Sequence, residues 1–120
     1  MEVKHIAIRG KSYPACFSLR VATRAAEKLG SLDAIFEERP LQEAAEINLW
    51  LLSECLAAGK VYAEMEGKKT VEPPTQEALY DQLSIVDAGR AVALIMEASQ
   101  RVTVELQTES EKNAVATQDH

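Results

Sequence analysis

The longest apolar run lies in LQEAAEINLWLLSECLAAG, residues 41–59, where only Ser53 and Glu54 are polar between Leu49 and Ala58. A helix apolar on nearly every side is one that other elements cover, so this stretch is expected to be the central core helix, with Trp50 at its middle. Pro40 stands just before it, and Gly59 occupies the place where a left-handed residue would end it. A membrane span needs about 20 apolar residues, whereas this run is shorter and is broken by Asn48, Ser53 and Glu54.

The flanking patterns predict the other elements. Val3 to Ile8 is β-branched with weak alternation, Arg9-Gly10-Lys11-Ser12 reads as a turn, and Tyr13 to Phe17 follows as a second strand that Pro14 confines to an edge. Ser18 can cap a helix through LRVATRAAEKL to Gly30, with Leu19, Ala22, Ala26 and Leu29 expected on its core face. Arg20, Arg24 and Lys28 recur every four residues on the same helix and form a basic stripe. Ser31 is expected to cap a short helix, LDAIFEER, in which Leu32, Ile35 and Phe36 fall on one side. KVYAEME adds two helical turns after Gly59, GKKTVEPP is a loop, and Thr75 caps QEALYDQL with Leu79, Tyr80 and Leu83 inward. From Asp87 a last helix carries Ala88, Val92, Ile95, Ser99, Val102 and Leu106 at steps of four and three. That heptad-like seam can pack inside the domain or against a second copy. The expected fold is α+β and mostly helical, an N-terminal β-hairpin packed on a bundle of about five helices. Residues 1–106 are expected to form one domain and the polar segment 107–120 a disordered tail.

Composition narrows this picture. Hydrophobic residues make up 47% of 120 positions and aromatics only 5%, a balance that suits helices packed through small aliphatic side chains. The first residues lack the apolar run of a signal peptide, so a cytoplasmic setting is expected, in which Cys16 and Cys55 are buried thiols. The net charge of −6 is unevenly spread. Residues 1–30 hold six Lys or Arg against two Glu, a net of +4, which leaves −10 for the rest. Such a split can steer an acidic partner to one end or align copies head to tail.

No motif specifies a reaction. Gly67-Lys68-Lys69-Thr70 lacks the spacing of a phosphate-binding loop, because Lys69 stands at the hydroxyl position and the preceding glycine, Gly59, is too far back. His5 and His120 are the only imidazoles, which leaves no zinc set or Cys-His nucleophile at workable spacing. The carboxylates fall on predicted outer faces. No catalytic residue, metal or cofactor is therefore expected, and function should reside in a surface, with Arg20, Arg24 and Lys28 as the candidate partner-binding residues. Nucleic acid is an unlikely partner because the chain is acidic and its cations are not interleaved with aromatics.

The order of these segments carries a resemblance. A hairpin, Phe17-Ser18-Leu19-Arg20 leading into AAEKLG, a short LDAIFEE helix, a helix ending LWLLSECLAAG and a proline-threonine loop before LYDQL together resemble the small tail assembly chaperones of long-tailed bacteriophages and prophages over residues 3–100. The resemblance implies a non-enzymatic protein of the host cytoplasm that binds the tape-measure protein, and tail-tube subunits as a further partner, during tail morphogenesis. It also implies that a longer form can arise by ribosomal frameshifting. A homo-oligomer fits this role, and no membrane partner is implied. The alternative, read from the residues themselves, is a small nucleic-acid-associated regulator that uses the basic N-terminal face.

Overall fold

The computed structural model describes residues 1–99. Strands β1 (Lys4–Ile8) and β2 (Lys11–Ala15) form an antiparallel hairpin in which Ile6 pairs with Tyr13 and Ile8 with Lys11. The two-residue turn places Arg9 at φ 51° and Gly10 at φ 81°, the double left-handed conformation whose twist matches the flanking strands. Alternation puts Ile6, Ile8, Tyr13 and Ala15 on one buried face.

Helix α1 (Leu19–Leu29) starts where the Ser18 hydroxyl accepts the Val21 amide, and it stops at Gly30, which is left-handed at φ 94°. A single 3-10 turn, Asp33–Phe36, leads to α2 (Leu41–Met65). Thr75 caps α3 (Gln76–Gln82) by accepting the Ala78 amide. Helix α4 covers residues 85–99, and its start is closed reciprocally: Asp87 donates its amide to the Ser84 hydroxyl while the Asp87 carboxylate accepts the Ser84 amide. The amide and hydroxyl of Ser84 both hold the Asp87 carboxyl below its ordinary range.

The chain is thus mostly helical with an N-terminal hairpin, and the described residues hold four α-helices and one 3-10 turn where about five helices were expected. The difference lies after Ser31: LDAIFEER forms only the 3-10 turn Asp33–Phe36, preceded by Leu32 with no side-chain cap, where a helix capped by Ser31 was expected. Gly59 departs from expectation as well: it does not end its helix, and α2 continues without a break through Met65, to a length of 25 residues. The stop is Gly67, left-handed at φ 77°, where the Gly67 and Lys68 amides bond back to the Glu64 and Ala63 carbonyls. That pair of bonds is the Schellman closure, and it satisfies the carbonyls that a helix end leaves open.

Gly59 instead admits the hairpin. A Cβ at this position would fall on the Pro14 carbonyl group and lie 2.6 Å from the Ala15 nitrogen. One residue further on, the Cys16 amide donates to the Cys55 carbonyl at 3.1 Å, which ties the end of β2 to the backbone of α2. Around this seam the buried side chains form one cluster that includes Ile6, Tyr13, Val21, Leu52, Leu56 and Ile95.

Several expected placements shift. On α1 the buried residues are Val21 and Ala25, while Leu19, expected in the core, is 83% exposed. Trp50 is not the centre of α2; it is half-buried at the edge, and Leu51, Leu52 and Leu56 occupy the interior. Phe36 and Tyr80 also turn outward. The seam of α4 is turned inward, with Ala88, Val92 and Ile95 buried, so these positions pack within the chain. Val102, Leu106 and the expected tail 107–120 lie outside the described residues.

Two glycine substitutions separate the effects of propensity and contact. Gly59→Ala gains helix propensity of about 1 kcal/mol but must displace the β2 backbone, and overpacking of this kind typically costs about 1 to 3 kcal/mol. Gly89→Ala, whose Cβ would meet only Asn48 Nδ2 at 3.6 Å, keeps the gain without the cost. Denaturant unfolding should show Gly59→Ala destabilised and Gly89→Ala stabilised; a stabilised Gly59→Ala chain would remove the close approach from the account of the fold.

Candidate functional site

The basic stripe on α1 runs beside α2. Arg24 Nη1 lies 3.3 Å from Glu54 Oε2, and Lys28 Nζ sits 5.1 Å from the centroid of the Trp50 ring. Both contacts are at the surface. The ion pair is worth about 0 to 1 kcal/mol, and the cation–ring contact about 0.5 to 1 kcal/mol. They fix the side chains laterally more than they stabilise the fold. All three stripe residues are exposed, but only Arg20 has neither of these contacts with α2.

Beyond Glu54 the two helices border a groove of about 790 Å³. Its α2 wall is Ala57, Ala58, Val61 and Met65, its α1 wall is Leu19 and Val21, and its charged border is Arg20, Arg24 and Glu54. Leu19 is 83% exposed, Met65 79% and Val61 55%. Three large apolar side chains thus stand in solvent along one channel. Isolated exposed hydrophobics are ordinary, whereas a contiguous apolar patch with a polar rim marks an interaction surface.

A second apolar groove, of about 480 Å³, lies at the other end of α2, between Leu41, Ala45 and Leu49 on that helix and Tyr80, Leu83 and Ile85 beyond it. Glu46 is its charged lining residue. Here too large side chains stay outside the core, with Leu41 67% exposed.

The structure brings two of the three stripe residues, Arg20 and Arg24, to the first groove and carries Lys28 a further turn along, to Trp50. Sequence reasoning placed Leu19 in the core by its apolar character and assigned Val61 and Met65 to no face, so none of the three was read as a surface residue. The available signal was Val21: counted from it, Ala25 and Leu29 follow at steps of four, and Leu19 falls on the opposite side of a 3.6-residue helix. Glu54 gave no such signal, since a pairing across helices depends on their register.

Both cysteines are free and buried. Burial pushes the Cys16 thiol up to about 11, and burial, reinforced by Cys16 and Glu54, pushes Cys55 up to about 12. Reactivity belongs to the thiolate, so neither thiol is a nucleophile near neutral pH. Among the described residues no group of three or more His, Cys, Asp or Glu is placed to hold a metal ion, and no helix is long and apolar enough to cross a membrane. Comparison with known proteins finds no matching family model, no matching curated protein and no matching solved structure.

Two outcomes follow for the folded chain. Leu19→Ser with Met65→Ser should change unfolding free energy by no more than about 0.5 kcal/mol, as at other surface positions; a larger loss would make these side chains part of the core. An alkylating reagent at pH 8 should leave Cys16 and Cys55 unmodified in the native chain and label both after denaturation, which mass spectrometry would read directly.

Proposed function

We propose that this protein is a tail assembly chaperone of a long-tailed bacteriophage or prophage, a non-enzymatic binding protein that holds the tape-measure protein during tail morphogenesis in the host cytoplasm. Tail-tube subunits are a second proposed client. The order of elements quoted for the resemblance supports this reading, from the hairpin through LWLLSECLAAG to the proline-threonine loop. The single observation that carries it is the exposed apolar groove of Leu19, Val61 and Met65 beside Arg20 and Arg24. An assembly chaperone shields apolar segments of a client before the client reaches its final packing, and a groove with standing apolar side chains offers that cover.

A nucleic-acid-associated regulator is the second reading, and the stripe of Arg20, Arg24 and Lys28 is the observation in its favour. It weighs less, because Arg24 faces Glu54 and Lys28 lies over Trp50, which leaves Arg20 as the stripe cation without a contact of this kind. A regulator would bind DNA with a steep dependence on salt.

Coexpression tests the proposal. A tape-measure protein from the same genome should be recovered soluble and in complex with this chain, and should aggregate without it. Recovery of the tape-measure protein unchanged in the absence of this chain would refute the chaperone role, and a salt-sensitive gel shift abolished by charge reversal at Arg20, Arg24 and Lys28 would install the regulator in its place. For the proposed homo-oligomer, the +4 and −10 portions of the chain should draw copies together at low salt and release them as salt rises, since exposed charges are screened beyond about 8 Å at physiological ionic strength. Sedimentation velocity across salt would show this; a dimer indifferent to salt would contradict the electrostatic route.

A further inference from the structure

We propose that the α1–α2 groove receives an amphipathic helix whose flanks are acidic. The inference rests on the reading of the protein as a binding module and names the chemistry of what it binds. Three features of the groove define the occupant. The first is shape. Ala58, Val61 and Met65 follow one another at steps of three and four along α2, so the apolar wall is itself a helical ridge. The ridge of another helix can pack against such a wall, and the short side chain of Ala58 allows close approach of its backbone.

The second feature is adaptability. Met65, an exposed lining residue of the groove, is unbranched and polarizable, the kind of side chain that fits itself to different apolar partners. Leu19 faces it from the first turn of α1, so an entering helix has apolar contact on both sides. The third feature is charge. Among the described residues that line the groove, the one acidic side chain, Glu54, is matched by Arg24, and Arg20 is a border cation without such a pairing. The chain as a whole is acidic at −6, whereas residues 1–30, which supply Arg20 and Arg24 to this border, carry a net +4. An acidic helix therefore meets attraction at the groove and repulsion from most of the remaining surface, which favours correct placement over unspecific contact.

The test uses the full chain and two labelled synthetic peptides of about 18 residues, long enough for about five helical turns. Both carry leucine at alternating steps of three and four; one has glutamate on its flanks and the other lysine. By fluorescence anisotropy at low ionic strength the glutamate peptide should bind at least about tenfold more tightly than the lysine peptide. Leu19→Ser with Met65→Ser should weaken that binding about tenfold or more, Arg20→Glu should shrink or reverse the preference between the peptides, and Leu41→Ser, at the far groove, should leave both unchanged. Absence of binding, equal binding of the two peptides, or full binding by the Leu19→Ser, Met65→Ser chain would overturn the proposal. A duplex oligonucleotide that binds as tightly as the glutamate peptide, and equally well to the double variant, would show attraction to polyanions alone and would also overturn it. Capture of the tape-measure protein undiminished in the double variant would remove the groove while leaving the chaperone role intact; peptide binding without capture would do the reverse.

Discussion

The fold depends on the absence of a side chain at Gly59. A two-stranded hairpin is marginal by itself, so its buried face must find a partner, and here the partner is a helix whose backbone comes close to that of β2. The close approach lets the Cys16 amide reach the Cys55 carbonyl and sets Tyr13 and Ala15 against the interior. A larger residue would hold the hairpin away and open a gap along the whole seam, where dispersion contacts are lost steeply with distance. Glycine inside a long helix is ordinarily a weakness. Here that cost is offset by the packing of a sheet that would otherwise have no stable place.

Much of the local structure was legible because it follows from chemistry within a few residues. Ser18 and Thr75 cap helices as their hydroxyls predict, Gly30 closes α1, and Gly10 turns the hairpin. What was not legible involved choices between equivalent local signals. Gly59 and Gly67 are both able to end a helix, and only the presence of β2 decides that the first is an internal contact and the second the stop. Leu19 and Val21 each begin a plausible apolar stripe on α1, and which one is buried depends on where α2 lies. Trp50 misled by size: a large aromatic ring in an apolar run looks central, yet it serves at the margin with a lysine across its face. For the candidate site, the basic stripe could be read directly, whereas its apolar half could not, because exposure of Val61 and Met65 is a property of the assembled surface.

The same division separates what holds the chain together from what it presents. Interior positions are filled by Leu, Ile, Val, Ala and Cys together with Tyr13, and no residue classed as polar or charged is among the buried ones described. Outside that core, residues of similar apolarity remain uncovered at both ends of α2. Because the exposed set contributes little to folding, its identity can change without threatening the scaffold. The charged residues of α1 then add orientation at small energetic cost.

Trp50 is the only tryptophan in the chain, and its ring lies under Lys28 on the same helix pair that borders the groove. Indole emission responds to nearby charge and to water, so excitation of this one residue gives a selective optical view of the α1–α2 boundary, uncluttered by signals from the hairpin. The molecule thus contains its own spectroscopic gauge, placed about one helical turn from Glu54 and the entrance to the groove.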